Sequence, residues 1–511
     1  MKTPSKNLPT DVPSLQSLAL SLQAQLLEAQ AKVRFQDEII RLMRIEKYGP
    51  KSEKLNDAQL ELLDLEPGVH AAEIEKEALQ TITYQRKARN PRPGRQELPE
   101  HLPRIEEIVA CAPEQCRCGA CGKETGVIGY DTGEQLEVEP AKYFVRVVKR
   151  EKRACRDCPD QGVSGAPAPP RILTKSKLSD RMIIQIVLAK YRDHLPLYRQ
   201  SAMLRMDAGV EISRSTLCNQ VMRVGSLCGA IVEEMKRELL AGGYIQADET
   251  RVGVRSDRTR GSNHKGWIWE YSRPYGQVIF EIRMERSREG PREFLRDFEG
   301  KLQCDGYVVY EDLGNDRIER FGCMTHARRK FFDAHKVMKE DPLPLEILGV
   351  FKDLYRVESR AREDKLDWAA RRELRQHEGA PIMARLKIRL VEIRASEPPA
   401  GLMAKACDYA LSQWDQIEKY LHHGEVEIDN NCAENAIRPI AIGRKNWLHV
   451  GSEAAGPSIA AIMSILETCR RLEINARDYL MDVLPGLSER PRSEVAQLTP
   501  TAWKKRREAG E

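Results

Sequence analysis

The fold of this chain is decided by residues 244–254, which read YIQADETRVGV. Up to Gly242 the sequence has the spacing of helices, and beyond it the pattern switches to that of a strand. We therefore predict a strand over this stretch, with the carboxylate of Asp248 on it.

Regular segments continue after this strand. We predict strands over 266–271 and 277–284, a short helix over 291–298 and a fourth strand over 302–310. Three successive strands, a helix and a fourth strand follow the order of a ribonuclease H-like α/β core. In such a core an acidic residue of the first strand lies beside one of the fourth, which pairs Asp248 with Asp305.

Two neighbouring carboxylates repel each other unless a dication neutralises them, and oxygen ligands with open positions suit Mg²⁺ or Mn²⁺. A third carboxylate is needed to hold a second metal ion about 3.5–4 Å away, where it supports an in-line phosphoryl transfer. That third group is expected in residues 427–439, which read EIDNNCAENAIRP.

Composition bounds the class of protein. A length of 511 residues predicts about three or four domains. Lys and Arg number 82 against 77 Asp and Glu, so the net charge of +5 does not by itself indicate a nucleic-acid partner. Apolar stretches such as 182–189 are far shorter than the ~18–20 residues that cross a bilayer, and residues 1–20 lack the layout of a signal peptide. We expect a cytoplasmic protein with no membrane partner.

A long helix is predicted over 12–48. Mostly apolar residues recur in it at alternating spacings of four and three: Leu15, Ala19, Leu22, Leu26, Ala29, Val33, Gln36, Ile40 and Met43. This is the a/d seam of a heptad repeat with one polar position. Two interpretations stay open, a helix that packs on its own protein and a coiled coil that makes the chain a homo-oligomer.

A basic linker is predicted over 78–110. Five Lys or Arg, two prolines, one glycine and no acid occur between residues 86 and 95, a composition that cannot form a core. Arg92 and Arg95 in this linker lie either along DNA phosphates or simply in solvent.

Six of the 13 cysteines lie between Cys111 and Cys158. In a reducing compartment such clustering favours metal ligation over disulfides. Four of them form two C-x₂-C pairs, which suit tetrahedral Zn²⁺: Cys118, Cys121, Cys155 and Cys158. The other two, Cys111 and Cys116, are spare thiols.

We therefore expect a small β module with bound zinc over 111–160. Its two hairpin strands are predicted at 134–138 and 143–149. Seven basic residues and one acid lie from 142 to 156, so the hairpin suits DNA phosphates through side chains such as Arg150 and Arg153.

Three helices are predicted in the region 171–241, over 178–192, 196–206 and 213–224. A glycine-containing turn precedes the third helix, as in a helix-turn-helix bundle. In that interpretation Arg214 and Asn219 face DNA bases. Any small helical bundle gives the same pattern, so this alternative also stays open.

Four blocks in order along the chain carry a wider resemblance: Ala247-Asp248-Glu249-Thr250, Asp305-Gly306-Tyr307, His326-Ala327-Arg328-Arg329-Lys330-Phe331 and residues 429–439. On these blocks the chain resembles the insertion sequence 66 family of bacterial transposases, over almost its whole length. Two departures are small. Arg251 stands where a proline is common, and Met324-Thr325 stand where the family usually has Trp-Ala.

The resemblance implies that Asp248, Asp305 and Glu434 are an Asp-Asp-Glu catalytic set and the ligands of Mg²⁺ or Mn²⁺. Glu434 would begin a helix whose N-terminus, near 429–431, offers caps and free N–H groups for a phosphate. Glu249 is interpreted as a strand-end acid, and Asp429 as a cap.

Basic side chains near this set are expected to contact the DNA strand: His326, Arg328, Arg438, Arg444 and Lys445. Trp447 offers a surface for an unstacked base. For His326 a core position is the equally weighted alternative.

The predicted fold class is thus multidomain α+β. After the coiled-coil helix, linker, zinc module and helix-turn-helix bundle come a ribonuclease H-like catalytic domain over 242–455 and a helical tail over 456–505. Residues 332–421 are predicted as a helical insertion within the catalytic domain.

The expected function is DNA transposition, with recognition of the element's terminal inverted repeats, hydrolysis to free 3′-hydroxyls and attack of these on target DNA. Small accessory proteins of the element are candidate partners. Two alternatives remain. One is a catalytically silent, transposase-derived repressor, and the other is a metal-dependent nuclease without strand transfer.

Overall fold

The computed structural model describes residues 11–48, 142–154, 163–256, 262–311, 313 and 315–510, with short pieces between 104 and 135. These residues belong to two compact units, one formed by residues 1–81 with 168–511 and the other by 82–167. Within the described ranges, no helix is both long and apolar enough to span a membrane.

The smaller unit contains a two-stranded antiparallel pair, Lys152–Ala154 (β1) with Val163–Gly165 (β2). The prediction of a strand over 143–149 is wrong, because these residues have no regular secondary structure. Alternating apolar and basic residues make a strand pattern, yet a strand forms only where a partner accepts its hydrogen bonds. The other predicted strand, 134–138, lies outside the described residues apart from residue 135.

The larger unit begins with four helices: α1 (Val12–Tyr48), α2 (Asp180–Tyr191), α3 (Leu197–Ala208) and α4 (Arg214–Leu240). The helix predicted over 12–48 is confirmed. Ser213 caps α4 through its side chain, which accepts a hydrogen bond from the Thr216 backbone N–H. The third predicted helix is longer than expected and runs on to Leu240.

A five-stranded sheet follows, with a short helix between its third and fourth strands: β3 (Tyr244–Val254), β4 (His264–Ser272), β5 (Val278–Arg283), α5 (Glu289–Phe294), β6 (Gly300–Gln303) and β7 (Ile318–Phe321). The strand order is β5-β4-β3-β6-β7. Strands β3, β4 and β5 are antiparallel neighbours, whereas β6 and β7 run parallel to β3. The predicted sequence of three strands, a helix and a fourth strand is confirmed.

The region 332–421, which we predicted as a helical insertion, is helical. The insertion consists of α6 (Met324–Val337), α7 (Pro342–Glu363), α8 (Trp368–Leu374), a π-helical turn (Arg375–Gly379), α9 (Ala380–Ser396), α10 (Leu402–Ser412) and α11 (Trp414–Glu418). These helices enclose a hydrophobic core of their own, centred on residues such as Phe351, Leu386 and Met403. Glu38 of α1 accepts a hydrogen bond of 3.1 Å from the backbone N–H of Leu402, so α1 contacts the insertion.

The chain then returns to the sheet through α12 (Asn431–Trp447) and ends in helices: α13 (Gly456–Arg471), α14 (Ala476–Val483), α15 (Arg492–Val495) and α16 (Pro500–Glu508). Elsewhere in the larger unit, short 3₁₀ turns lie between the elements of the sheet, the insertion and the C-terminal helices: Val308–Tyr310, Asn315–Arg317, Lys419–His422, Glu453–Ala455, Leu487–Glu489 and Ala496–Leu498.

Helix α13 ties the N-terminal helices to the sheet. It packs along α4 so closely that a Cβ atom on Gly225 would lie 2.3 Å from the Ser458 carbonyl oxygen. On its other side, Ser464 and Thr468 accept hydrogen bonds of 2.8 and 2.9 Å from backbone N–H groups of the edge strand β5. The helices predicted as a helix-turn-helix bundle and the sheet therefore share one hydrophobic core. Helix α13 also covers the edge of the sheet that β5 forms.

Candidate active site

The first candidate ligand, Asp248, lies on β3, the central strand of the sheet. Its Cα is in register with that of Glu270 on β4. Its Oδ1 accepts a hydrogen bond of 2.8 Å from the Glu249 backbone N–H. The side chain is half-buried, so its charge is only partly stabilised by water.

Asp305 lies two residues beyond the end of β6. The prediction that the fourth strand continues to residue 310 is wrong, because the strand ends at Gln303 and Val308–Tyr310 is a 3₁₀ turn. Asp305 causes this local change, since its Oδ1 accepts a hydrogen bond of 3.0 Å from the Tyr307 N–H and closes a turn. A local turn of this kind overrides the strand propensity of the following apolar residues.

Parallel pairing brings the two aspartates to the same end of the sheet. Gln246 of β3 is in register with Gln303 of β6, and each candidate aspartate follows its glutamine by two residues. Asp248 and Asp305 therefore stand at equivalent positions of neighbouring, parallel segments.

Glu434 reaches the site from α12. Helix α12 begins at Asn431, where Asp429 Oδ1 accepts a hydrogen bond of 3.1 Å from the Asn431 N–H, so Glu434 is in the first turn as predicted. Two side chains of α6 face its carboxylate. Arg329 Nη2 lies 3.1 Å from Oε2, and His326 Nδ1 lies 3.6 Å from Oε1.

The carboxylates influence one another electrostatically. Burial raises the pKa of Asp248 well above its usual range, and the negative charges of Glu434, Glu249 and Asp305 raise it further. Three like charges around one partly buried position are unfavourable without a cation. Glu434 Oε1 is also buried and, within the described part of the chain, accepts no hydrogen bond. Both observations fit a carboxylate set that holds a divalent cation.

Two further acids near the site have other partners. Glu249 binds Arg286, with Nε at 2.9 Å, and accepts a hydrogen bond of 2.7 Å from the Tyr310 hydroxyl. Asp429 accepts hydrogen bonds from the hydroxyl groups of Thr325 and Tyr355. Both acids therefore have protein partners, but Glu249 lies in the middle of β3 rather than at its end, and Asp429 precedes Asn430, the N-cap residue of α12.

A buried polar network supports the site from below. The hydroxyl of Tyr244 donates to Gln303 Oε1 at 2.6 Å, and Gln246 Nε2 donates to the same oxygen at 2.8 Å. Gln246 also donates to the carbonyl oxygen of Asp429, and Gln303 to that of Glu427, both at 2.8 Å. This network joins the two aspartate-bearing segments to the chain that enters α12.

The predicted DNA contacts on α12 occupy different environments. Arg444 Nη1 donates to Thr250 Oγ1 at 3.0 Å and also contacts the Arg251 carbonyl oxygen, which places it beside β3. Lys445 is exposed, and Arg438 is partly exposed. Trp447, which we predicted to stack on a base, instead folds over Gly443 of its own helix.

On α6 the two predicted contacts also differ. His326 faces Glu434, as described above. The guanidinium carbon of Arg328 lies 5.0 Å from the centre of the Tyr355 ring, so this side chain packs toward the insertion.

The remaining candidates are spread over the chain. Arg214 and Asn219 are exposed on the first turns of α4. In the smaller unit, exposed Arg150 donates to the Ala166 carbonyl oxygen at 3.4 Å, and Arg153 pairs with Glu151 at 2.9 Å.

Several predicted residues lie outside the described ranges: Arg92, Arg95, Cys111, Cys118, Cys121, Cys155 and Cys158. Cys116 is described and is partly exposed.

Sequence reasoning did not identify three residues at this site. Arg286 binds Glu249 and lies over the rings of Trp267 and Tyr307, at 4.6 and 3.6 Å from their centres. Arg329 and Cys323 lie next to Glu434. The spacing Cys323-x₂-His326 was a usable signal for the last of these.

Family models match most of the chain. Residues 175–458 match the model described as "Transposase IS66 family". Residues 36–106 match "Transposase C of IS166 homeodomain", and residues 115–159 match "zinc-finger binding domain of transposase IS66". The last match includes all four cysteines of the two C-x₂-C pairs and supports Zn²⁺ as a cofactor.

Relatives occur in Sinorhizobium fredii (strain NBRC 101917 / NGR234). The uncharacterized protein y4qI is 31% identical over 547 residues, which cover 99% of each chain. The uncharacterized protein y4hP is 28% identical over 91% of this chain and 88% of its own, and y4jD is 30% identical over 80% and 81%. Because the transposase model spans more than half of the sequence and a relative matches it end to end, the chain belongs to the IS66 family of transposases.

Proposed function

We propose that the chain is an active DNA transposase with a ribonuclease H-like catalytic core. It binds the terminal inverted repeats of its element, cleaves DNA at the element ends and joins the freed 3′-hydroxyls to target DNA. The observation that carries this proposal is the register of β3 and β6, which aligns Asp248 with Asp305 while α12 delivers Glu434.

In this proposal Asp248, Asp305 and Glu434 hold Mg²⁺ or Mn²⁺. When bound, the ions activate the attacking oxygen and stabilise the leaving oxygen of an in-line displacement. The buried glutamine network fixes the positions of the two aspartates relative to each other along their strands. The first turn of α12 fixes the position of the glutamate. The protein thus contributes position and charge, which are the main requirements of phosphoryl transfer.

Basic side chains then hold the DNA. In this proposal the phosphates of the strand being cut are contacted by Arg438, one turn after Glu434, and by Arg444 and Lys445 toward the C-terminal end of α12. Arg214 and Asn219 are proposed to read bases, while Arg92, Arg95, Arg150 and Arg153 bind phosphates.

We further propose that α1 joins two copies of the chain. Its apolar heptad residues remain exposed, including Leu22 at 55%, Leu26 at 58% and Val33 at 57%. Among the described side chains of α1, those around Glu38 contact the insertion. The unburied seam therefore favours a coiled coil over a helix packed on its own protein.

Strand transfer is the test that separates the alternatives. Full-length protein with labelled end DNA, Mg²⁺ and a target plasmid should give joined products, whereas a nuclease would give cleavage alone and a repressor neither. Asp248, Asp305 and Glu434 are all present, which disfavours the repressor.

The zinc module has its own test. Cys118→Ser or Cys155→Ser should release about one Zn²⁺ per chain and unfold residues 111–158, because structural zinc supplies folding free energy. Unchanged metal content would make the assignment of the two C-x₂-C pairs as zinc ligands wrong. Cys111 and Cys116 would then become the candidate ligands.

DNA reading is tested in the full chain, because α4 is buried against α13 and a fragment ending near residue 241 would expose that face. Arg92→Ala with Arg95→Ala should weaken binding to all sequences and reduce the salt slope by up to about two. Arg214→Ala or Asn219→Ala should weaken binding to end DNA more than to random DNA. An equal loss on both DNAs would mean that α4 contacts phosphates rather than bases, and no loss on either DNA would make α4 a packing element only.

A further inference from the structure

Three residues of different chemistry meet at the start of α6. Cys323 directly precedes the helix, His326 is in its first turn, and Glu434 approaches from the first turn of α12. Their sulfur, ring nitrogen and carboxylate oxygen all lie within 4.8 Å of one another.

The distances resemble those between ligands of one metal ion. His326 Nδ1 and Glu434 Oε1 are 3.6 Å apart, which is too long for a good hydrogen bond. Ligand atoms that each lie about 2.0–2.3 Å from a tetrahedral ion are separated by about 3.3–3.5 Å. A small adjustment of side chains would therefore bring both atoms onto one ion.

Both atoms also lack another partner. In the portion of the chain that the structure describes, neither His326 Nδ1 nor Glu434 Oε1 makes a hydrogen bond, although both atoms are buried. Buried polar atoms are nearly always satisfied, and an unsatisfied pair that faces one point indicates a missing ion or water.

The sulfur of Cys323 accepts a backbone hydrogen bond. The side chain is only 3% exposed, and its Sγ accepts a hydrogen bond of 3.5 Å from the Asn430 backbone N–H. Burial raises the pKa of this thiol well above its usual range, the charges of Asp429 and Glu434 raise it further, and the backbone N–H groups of Asn430 and His326 oppose that rise. Backbone N–H groups around a cysteine sulfur stabilise a metal-bound thiolate, as in other thiolate metal sites.

We propose that Cys323, His326 and Glu434 form a second transition-metal site, separate from the cysteine pairs of the zinc module. One thiolate, one imidazole and one carboxylate suit Zn²⁺ or a similar borderline cation, whereas Mg²⁺ prefers oxygen ligands alone. Three protein ligands leave a fourth position for water. Binding replaces the thiol proton of Cys323, which is released to solvent.

The site shares Glu434 with the proposed catalytic set. An ion held by Cys323 and His326 would engage Glu434 Oε1 and withdraw this carboxylate from Asp248 and Asp305. Zn²⁺ should therefore inhibit DNA cleavage in competition with Mg²⁺ or Mn²⁺. The predicted inhibition of cleavage rests on the proposed function. The predicted binding of a metal ion does not.

Binding is tested with Co²⁺ as the probe, titrated into full-length protein whose zinc module already holds Zn²⁺. Wild type should bind one further Co²⁺ per chain and develop a sulfur-to-cobalt absorption band. Cys323→Ser should lose the band, and His326→Gln should weaken Co²⁺ binding at least about tenfold. The matched controls Cys469→Ser, at a buried cysteine of α13, and His335→Gln, further along α6, should bind Co²⁺ like wild type.

Equal Co²⁺ binding by wild type, Cys323→Ser and His326→Gln would overturn the site, as would no further binding by wild type. If Cys323→Ser proves unfolded by circular dichroism, the His326→Gln affinity decides the question.

Inhibition is measured separately as the ratio of end-DNA cleavage with and without added Zn²⁺ in each protein. Wild type should be inhibited, and Cys323→Ser should be at least about tenfold less sensitive. Equal sensitivity, together with the expected Co²⁺ result, would overturn only the shared role of Glu434. Absence of any cleavage by wild type would contradict the proposed function and leave the Co²⁺ result intact.

Discussion

Two clusters of buried charge in the larger unit differ in their balance. Where the insertion meets the segment that leads into α12, Glu358 and Glu427 face Arg371 and Arg375. Arg371 Nη2 lies 2.7 Å from each acid, and Arg375 Nε lies 2.7 Å from Glu358. Burial alone would raise the pKa of Glu358, but the two arginines outweigh it and lower that pKa to about 2. Two positive and two negative charges thus neutralise each other.

The carboxylate cluster around Asp248 is not balanced in this way. Arg286 is committed to Glu249, and Arg329 contacts Glu434 from the side of α6. Asp248 itself has a raised pKa because of burial and three acidic neighbours. A buried cluster whose charges sum to zero is stable without a bound ion and has a structural role. A buried cluster with excess negative charge favours a bound cation and indicates a functional site.

The largest effect expected from this comparison is on cleavage. Asp248→Asn, Asp305→Asn or Glu434→Gln should each reduce Mg²⁺-dependent cleavage of end DNA about a thousandfold or more, because each removes a charged metal ligand. End binding, measured by gel shift, should stay nearly intact. In metal-free protein, Asp248→Asn should raise the unfolding free energy, since it removes repulsion. Cleavage near the wild-type rate in any variant would remove that residue from the set.

A substitution in the neutral cluster around Glu358 should change the free energy of unfolding. Glu358→Gln leaves Arg371 and Arg375 with only Glu427, so we expect the unfolding free energy to fall by about 3–5 kcal/mol in denaturant titrations. The control is Glu346→Gln, which breaks an exposed pair with Arg389 and should cost under about 1 kcal/mol. Similar losses in both variants would mean that burial does not distinguish the two pairs.

A third buried acid gives a pH-dependent test. Glu270 is fully buried opposite Asp248, and burial raises its pKa to about 8 despite the nearby Arg471. Its folded pKa lies above the unfolded value, so the stability that it contributes is complete below about pH 4.5 and is lost as the pH rises through about 8. Glu270→Gln should therefore be more stable than wild type at pH 9, by about 2–3 kcal/mol, but not at pH 5.

Urea unfolding between pH 5 and pH 9 measures this difference. The exposed Glu299→Gln serves as the control and should follow the wild-type pH profile. A Glu270→Gln profile parallel to that of wild type would show that Arg471, 3.8 Å away, already balances the acid.

The smallest expected effect concerns Asp429, whose charge is satisfied by hydroxyl groups and a backbone N–H. Tyr355→Phe removes one donor and should lower the unfolding free energy by about 1–2 kcal/mol. Tyr198→Phe, which alters an exposed hydroxyl, should change it little. A thousandfold loss of cleavage in Tyr355→Phe would instead place Asp429 in the catalytic set.

Much of the fold could be predicted because its signals are local. The strand over 244–254 and the long helix over 12–48 were predictable from apolar spacing within a few turns or pairs of residues. The end of β6 was not, because the turn at Asp305 depends on one side chain accepting the N–H of Tyr307. The length of α4 was also missed, because its second half is stabilised by packing against α13.

The candidate site shows the same division. Asp248, Asp305 and Glu434 could be named from motifs, since each lies in a recognisable short block of sequence. Arg329 and Arg286 could not be assigned, because nothing near them in the sequence indicates that they face Glu434 or Glu249. The spacing of Cys323 and His326 was a usable signal for Cys323, but it does not show that this residue faces Glu434.

The sequence by itself determined the family, the order of helices and strands, and the acids of the candidate catalytic set. Periodicity and short motifs encode these properties within a few residues. Only the tertiary structure decided which acidic side chains are neutralised by neighbouring basic ones and which are not. Asp248 and Glu434 are 186 residues apart in the sequence, and the charge around each depends on strand register, helix docking and the partners that burial brings within a few ångströms.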